Sequence, residues 1–593
     1  MNRANRWHNP HVMTSASAPG ARASGAFGGW RESTGGRGSR LMDWAFGRVD
    51  ALTMAILFVA FLLLRLPFRS TYPVNWDSVQ FVLGIQDYDI VHHRPHPPGY
   101  IGYIGLAKVL NFFTGDPHAA LIIISLVSGA VVPAGFYMLA RRFMPQIPAL
   151  CAAVAFGTSM LITYYSEVAL TYIAELALLV PVLYFLHRGM MQRAPADLLI
   201  ASGLLAAVGS IRQTALALML PLWLYALWRV GWRDRIRAGA VLTAGVLIWL
   251  VPLLWLAGGP LTYIQASRDL AELTGGHTSI LALKPFGVLQ NLAFVSAGFF
   301  FGVNVAALVI IRAWPQLRSR WRASSRQTRM FFLLWAAPAL AVYVLGHTGQ
   351  IGYILVLLPI PFLAFGLGLA RASQFLRARA PQLSMRAAPV ALTAIIVAVN
   401  VTGFLTVPAI TNNALHDSVA MDLRQFDLPD NDRHWQRLES TIRNYPADAT
   451  VVLTTIGGPR VSGSFRHLTY LLPEYRVYGL GRDLNNGYFG PLFSAYEGES
   501  DYAIPGMRTA ATRLELPPNT RYLVIPDAEI ASRIEVALGD RPNWIDRRGN
   551  ATVVVIDPET VIAFAIEGEI ISLVQCQGAG CTADEPDESA GSR

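Results

Sequence analysis

Charge is scarce in this sequence. Of 593 residues only 15% are Asp, Glu, Lys or Arg, against roughly 25% in an average soluble chain, so a fold that keeps its whole surface in water is excluded. Cysteine is scarcer still, at three residues, which rules out a disulfide framework. Cys151 lies inside an apolar run, whereas Cys576 and Cys581 sit in a polar tail, where they either pair or remain two separate thiols. Lysine is almost missing: Lys108 and Lys284 are the only two among 48 basic residues. Residues 1–48 are rich in Gly, Ser, Ala and Arg, show no apolar periodicity and carry no cleavable leader pattern, and they read as a disordered cytoplasmic tail.

What the chain has instead is apolar residues, 53% of it, in long uninterrupted runs such as Ala238–Ala257 and Pro389–Pro408. A run of about 20 apolar residues is long enough to cross a bilayer as a helix. On that criterion the sequence predicts spans near 51–66, 119–140, 148–165, 168–186, 197–210, 213–229, 238–257, 286–311, 330–346, 351–370 and 389–408, about eleven in all, the 197–210 run being the shortest. The expected fold class is a polytopic α-helical membrane protein, its transmembrane domain covering 49–408 with a long first outer loop at 67–118.

The net charge of +9 is a topology signal rather than a sign of nucleic acid. Short loops rich in Lys and Arg stay on the cytoplasmic side. With residue 1 inside, the inner segments hold the arginines from Arg3 to Arg48, Arg141 and Arg142, Arg188 and Arg193, the Arg229–Arg237 and Arg312–Arg329 clusters and Arg371–Arg386. The outer short loops keep only Arg69, Arg94, Lys108, Arg212, Arg268 and Lys284. This asymmetry predicts a multi-pass protein of the inner (cytoplasmic) membrane with a cytoplasmic amino terminus. An odd number of spans then puts everything after about 409 on the far side.

That distal part reads as an extracytoplasmic α/β domain at 409–577. Trp435, Leu438 and Ile442 recur at helical spacing, and short β-branched runs follow at Thr450–Thr455, Tyr522–Ile525, Thr552–Ile556 and Val561–Ile566. It carries no evident set of nucleophile, base and orienting group, so a role in acceptor recognition, in covering a site, or in packing is expected. Residues 578–593 are acidic and read as a second disordered tail.

Chemistry is concentrated in the first outer loop, which holds Asp77, Asp87, Asp89, His92, His93, Arg94, His96 and Asp116. Asp77–Tyr88 carries an apolar stripe of Val79, Phe81, Val82 and Ile85, so an amphipathic helix is predicted there, with Asp77 either its cap or a working carboxylate. Pro95-His96-Pro97-Pro98-Gly99-Tyr100 cannot be helical and must form a rigid turn. Farther on, Glu167 stands at a helix end and Glu175 lies about 12 Å deeper on nearly the same face. An acid at that depth needs a partner. Arg212, set between Ser210 and Gln213 at the junction of two apolar runs, is costly in hydrocarbon unless it meets an anion or water, or snorkels to the headgroups.

The order of these features resembles the GT-C membrane glycosyltransferases, and more narrowly the branch of the protein O-mannosyltransferases and lipid A aminoarabinose transferases. The likeness rests on a first span leaving through Arg65-Leu66-Pro67, on Asp77, on His96-Pro97-Pro98, on Tyr165-Ser166-Glu167, on Gly209-Ser210-Ile211-Arg212-Gln213, and on Gly346-His347 through Gly352-Tyr353-Ile354 with Leu358-Pro359. It covers roughly residues 50–408. The resemblance implies a transferase that takes a sugar from a polyprenyl-phosphate carrier and attaches it to a lipid, glycan or protein acceptor on the outer face of the membrane, within the membrane lipid and with no nucleic-acid partner. It also implies that Asp77 is the catalytic base. The family's first loop commonly opens with two adjacent acids, whereas this chain has Asp77-Ser78.

The chemistry asks for little else. A glycosyl phosphate is already activated, so transfer needs a base for the acceptor hydroxyl and cations for the leaving phosphate. The candidate substrate-binding residues are Glu167 for sugar or acceptor, and Arg212, Lys284, His347 and the His92, His93, Arg94 and His96 group for phosphate. A single nominated base favours inversion. No cofactor is expected. Asp87-Tyr88-Asp89 matches the pattern that binds metal-linked nucleotide sugars, but a lipid-phosphate donor does not require such a metal, and a divalent ion stays a minority alternative. The rival functions are a transporter or flippase, for which related halves are not detected, and a noncatalytic subunit of an envelope polysaccharide system.

Overall fold

The computed structural model describes residues 37–275, 279–280, 285–379, 387–414, 427–455, 465–483, 488–494, 513–539, 545–548, 550–557, 561–566 and 569–575. Lys284, Cys576, Cys581, most of the amino-terminal tail and the 578–593 tail lie outside the described residues. Residues 52–593 form one unit, and residues 1–51 cluster separately.

Among the described residues sixteen helices run through the apolar part: α1 (Arg37–Arg65), α2 (Trp76–Gln86), α3 (Ile101–Thr114), α4 (Pro117–Arg141), α5 (Gln146–Gly157), α6 (Met160–Tyr165), α7 (Thr171–Gln192), α8 (Pro195–Ile211), α9 (Gln213–Leu227), α10 (Trp232–Leu256), α11 (Pro260–Gly275), α12 (Pro285–Val303), α13 (Ala306–Ala323), α14 (Arg326–Ala341), α15 (Pro359–Arg379) and α16 (Ala387–Ala414). Among the described residues six segments are long and apolar enough to cross a membrane: Gly47–Phe68, Pro117–Arg141, Thr171–Gln192, Trp232–Leu256, Arg326–Gly346 and Ala387–Thr406. A seventh is counted if Gly287–Val303 and Ala306–Ala323, bent by 94° at their break, act together.

The expected count of eleven differs from this for a physical reason. The stretches at 197–210 and 213–229 are helical but short, in α8 and α9. The 148–165 stretch breaks at Thr158 and Ser159 into α5 and α6, and the 351–370 stretch opens with a 3-10 turn at Ile351–Val356. Twelve residues, the length of α5, rise only about 18 Å, well short of a hydrocarbon core of about 30 Å.

Burial separates the helices into an inner and an outer set. Helices α4 and α7 are mostly buried, and their side chains run through one continuous core that also takes in Phe81, Tyr103, Phe156, Trp335 and Phe362. Helix α10 buries only Ala238, Leu242, Trp249 and Leu253, and its Ile248, Val251 and Trp255 point outward. Large apolar side chains left outside in this number are tolerable only in lipid.

The carboxy-terminal part is an α/β assembly. Its helices are α17 (Leu428–Ile442), α18 (Phe465–Leu471) and α19 (Ala528–Leu538). Its strands are β1 (Thr450–Thr455), β2 (Arg476–Asp483), β3 (Tyr488–Ser494), β4 (Arg513–Leu516), β5 (Tyr522–Ile525), β6 (Ile545–Arg548), β7 (Ala551–Val555), β8 (Val561–Ile566) and β9 (Glu569–Gln575). A six-stranded sheet runs β3-β2-β1-β5-β7-β6 and a three-stranded one β4-β9-β8. β1 pairs parallel with both β2 and β5, which needs crossover connections, while β3, β6 and β7 join antiparallel. Trp435, Leu438 and Ile442, the expected helical stripe, pack with Val452, Val477 and Val524 of the sheet.

Candidate active site

The site is built where α2 begins. Asn75 caps that helix: its Oδ1 accepts from the Ser78 amide at 2.9 Å and from Ser78 Oγ at 3.0 Å, which satisfies amides at the helix start. Asp77, in the first turn, is thereby relieved of the capping role that its position allowed. Its carboxylate is half-buried and faces inward. Oδ2 accepts a hydrogen bond from Gln350 Nε2 at 3.0 Å, and Oδ1 lies 3.9 Å from His96 Nδ1.

The proline turn is pressed onto α2. A Cβ on Gly84 would stand 2.7 Å from Pro95 Cδ and 2.9 Å from the Arg94 carbonyl carbon, so only glycine lets the turn approach this closely. At the far end Gly99 takes a φ of 92°, and the Tyr88 hydroxyl donates to its carbonyl at 2.7 Å. These contacts fix His96, whose Nδ1 is 2.5 Å from Gln80 Oε1 and whose Nε2 is 2.8 Å from the Tyr100 hydroxyl. Gln80 Oε1 can only accept, so Nδ1 carries the proton and Nε2 accepts from Tyr100. Burial lowers the His96 pKa, with Asp77 opposing and Arg212 and Arg466 adding to the depression. Burial also drives His93 down to about 3. Both imidazoles are therefore neutral near pH 7, not the fixed cations that the sequence suggested.

Arg212 supplies the lasting positive charge. It sits in extended conformation between α8 and α9 and is 6% exposed. Its guanidinium lies 4.4 Å from the ring centre of Tyr172 and 4.6 Å from that of Tyr353, and its Nε is 3.3 Å from Glu175 Oε2. Tyr172 and Glu175 are three apart on α7 and share its face. This is the partner that Glu175 required. The contact uses one edge of the guanidinium, and Nη1 and Nη2 have no hydrogen-bond partner among the described residues. His96 and Tyr100 each interact electrostatically with both Asp77 and Arg212, which places the acid and the cation in one cluster. Gln213 ties the same junction to the proline turn by donating to the Pro98 carbonyl at 3.1 Å.

The remaining candidates fall in different places. His92 Nδ1 is 2.5 Å from Asp89 Oδ2, and Arg94 Nη1 donates to Asp87 Oδ2 at 2.9 Å. The Asp87-Tyr88-Asp89 acids are thus engaged within their own turn, which a backbone bridge between Asp89 and Arg94 closes. Among the described residues no three His, Cys, Asp or Glu side chains are grouped to hold a metal ion. Glu167 is 0% exposed, interacts electrostatically with Arg65, and neither of its carboxylate oxygens has a hydrogen-bond partner among the described residues. Arg65, equally buried, donates to the carbonyls of Gly129 and Gly157. In this conformation the charge that acts on Glu167 is that of Arg65, and no hydrogen bond or ion pair joins Glu167 to the Asp77 cluster among the described residues. His347 ends a π-helical turn at Val342–Gly346, with its ring 6.5 Å from that of Tyr353. Thr348 and Asn291 hold the turn through the Tyr343, Val344 and Gly346 carbonyls.

Gln80 and Tyr172 do not stand out in the sequence, and Tyr100 and Tyr353 do so only as members of motifs, with no role of their own. Gln80 stands one helical turn from Asp77, a spacing that does put both on one face. Nothing local pointed to Gln350 as the partner of an acid in the first loop.

Comparison with known proteins follows the same segment. Residues 96–256, which include the proline turn, Glu175 and Arg212, match the family model for dolichyl-phosphate-mannose-protein mannosyltransferase. Among solved structures, ArnT from Cupriavidus metallidurans bound to undecaprenyl phosphate is 12% identical, with a TM-score of 0.47 over 86% of this chain and 98% of that one. The apo form of the same protein is 13% identical, with a TM-score of 0.47 over 85% and 98%. The apo oligosaccharyltransferase of Archaeoglobus fulgidus is 13% identical, with a TM-score of 0.43 over 80% and 69%. No curated protein matches the chain. The chain resembles the GT-C membrane glycosyltransferases of the branch that holds the protein O-mannosyltransferases and ArnT.

Proposed function

We propose that this chain is an integral membrane glycosyltransferase that moves a sugar from a polyprenyl-phosphate carrier to an acceptor hydroxyl on the outer face of the cytoplasmic membrane. The observation that carries the reading is a half-buried carboxylate, Asp77, oriented by Gln350 and grouped with His96 and the buried guanidinium of Arg212. A base and a cation in one cluster, among helices whose outward side chains are apolar, are what a lipid-linked glycosyl phosphate demands. The family match over residues 96–256 supports it.

In the step proposed, the acceptor oxygen attacks the anomeric carbon as its proton passes to Asp77. The bond from that carbon to the phosphate oxygen breaks, and its electron pair leaves with the phosphate. The free Nη1 and Nη2 of Arg212 receive the leaving oxygens, while Glu175, Tyr172 and Tyr353 hold the guanidinium in place. His96 takes part as a neutral hydrogen-bonding group. Lys284 and His347 remain candidates for the carrier phosphate. His92 and Arg94 are proposed as scaffolding of the turn, and Glu167 as the counter-ion of Arg65. Attack opposite the leaving phosphate, with a single base, gives inversion.

The segregation of arginines supports a cytoplasmic amino terminus and an extracytoplasmic domain after residue 408, and labelling of single cysteines introduced at exposed positions from each side of sealed vesicles tests that placement. Catalysis is tested by incubating the purified protein with radiolabelled polyprenyl-phosphate sugars and candidate acceptors. The native chain should transfer label with at least one donor and Asp77→Asn should not. Undiminished transfer by Asp77→Asn removes the base assignment, and no transfer with any donor removes the enzymatic reading.

A further inference from the structure

The carboxy-terminal domain reaches the site through buried charge. Arg466, on α18, is 1% exposed. Its Nη2 donates to the His92 carbonyl at 2.8 Å and its Nη1 to the His93 carbonyl at 3.4 Å, and its guanidinium lies 5.7 Å from the ring centre of Trp76. Trp76 directly precedes Asp77, and His93 is three residues before His96, so one side chain grips the chain on both sides of the candidate site. A buried guanidinium is costly unless its donors are engaged, and the two carbonyls that converge on Nη1 and Nη2 do so when the turn at His93, where φ is 58°, is held in register with α2.

A second grip lies on α17. Asp432 accepts from the Thr71 amide at 2.8 Å, from Thr71 Oγ1 at 2.7 Å and from the Tyr72 amide at 3.2 Å, and the Tyr72 hydroxyl donates to Glu439 Oε2 at 3.0 Å. The two grips are one body: His467, next to Arg466, stacks on Trp435 of α17 with ring centres 4.6 Å apart and planes 4° from parallel.

We infer that Arg466 is a positioning residue of the transferase, setting from the carboxy-terminal domain the placement of Asp77 relative to His96, with Asp432 fixing the entry to the same loop. The inference rests on the proposed role of Asp77. It gives the appended domain a part in assembling the site, apart from any contact with acceptor. Its reach is electrostatic as well as steric, because His96 is faced by Asp77 from α2, by Tyr100 and His93 from the turn, by Arg212 from the α8–α9 junction, and by Arg466.

The test uses the full chain in native, Arg466→Gln, Arg466→Lys, Asp432→Asn and Asp77→Asn forms, each checked for folded protein by size exclusion and for loosening of residues 71–76 and 88–96 by hydrogen exchange. Arg466→Gln should lower kcat by about ten- to hundredfold, the scale of a small misplacement of reacting groups, with the donor KM changed by less than about twofold. Loss of its positive charge removes a depression of the His96 pKa, so the acid limb of the kcat profile should move to higher pH. Arg466→Lys should keep that limb in place and recover part of kcat, and Asp432→Asn should lower kcat with the limb unmoved. A native kcat in Arg466→Gln overturns the inference. So does a loss that tracks the folded fraction, is shared equally by the lysine variant and leaves the acid limb where it was. If Asp77→Asn transfers normally while Arg466→Gln does not, the base assignment has failed; if Asp77→Asn is inactive and Arg466→Gln is native-like, the positioning role has failed.

Discussion

Gln350 donates to the carboxylate of Asp77 across 3.0 Å although 273 residues separate them in sequence. The bond fixes which oxygen of Asp77 is occupied and leaves the other toward His96. Without this contact the carboxylate is free to turn away from the acceptor hydroxyl, so Gln350→Ala should lower kcat roughly tenfold, the scale of a small misplacement of a reacting group. Gln350→Glu should be worse, because it replaces a donor with a second carboxylate. Steady-state rates with a saturating polyprenyl-phosphate sugar check both, and an alanine variant at native rate shows that Asp77 does not depend on this contact.

The Arg212 and Glu175 pair predicts a stability pattern as well as a catalytic one. Removing one member of a buried ion pair strands the other charge and costs about 3–5 kcal/mol, whereas replacing both is often nearly neutral. Glu175→Leu and Arg212→Leu should each lower the thermal midpoint of the purified protein, and the double variant should recover much of the loss. Arg212→Lys should not rescue transfer, because an ammonium has no planar face to lie between Tyr172 and Tyr353. Additive losses in the double variant indicate that the two side chains do not interact in solution.

How much of this was legible in the sequence depended on the range of the interaction. Arg212, at the junction of two apolar runs, stands out because it is expensive in lipid and must be accounted for, whereas Asp77 and His96 stand out because an outer loop this long and polar gathers acids and imidazoles around a proline turn. The requirement of Glu175 for a partner followed from depth alone, and its identity did not. The sequence leaves Asp77 as either cap or working carboxylate, because Asn75 and Asp77 are both competent acceptors, and only the extended backbone of Asn75 (φ −151°, ψ 179°) decides that Asn75 is the cap. The sequence offers the histidines as cations, and the burial that makes His93 and His96 neutral has no local signature in it. The grip of Arg466 on His92 and His93 was out of reach, since no local pattern connects positions 373 residues apart.

The Arg65 and Glu167 pair leads to a prediction that separates structure from catalysis. Both side chains are buried where α1 ends against the helices that carry Gly129 and Gly157. If Glu167 serves as counter-ion, Glu167→Gln should lower the thermal midpoint while the remaining folded protein keeps its donor KM. A raised KM with an unchanged midpoint would return Glu167 to the substrate.

Acid should loosen the contact between the carboxy-terminal domain and the first loop, and the sign follows from two histidines. Burial depresses both His93 and His467 to about 3 from an ordinary value of 6.5. Each is neutral in the folded chain and free to protonate when unfolded, so the unfolded state binds more protons throughout the window from about 6.5 down to about 3. Stability is therefore complete above that window and falls as pH drops through it, by about 1.4 kcal/mol per unit for each group. At pH 5 each would have given up about 2 kcal/mol. His467→Phe keeps the stack on Trp435 but cannot protonate, so the drop in thermal midpoint between pH 7 and pH 5 should be smaller in that variant than in the native chain. Equal drops in the two proteins would mean that His467 already meets solvent in the folded state, and the packing of α18 against α17 would have to be looser than the 4.6 Å stack implies.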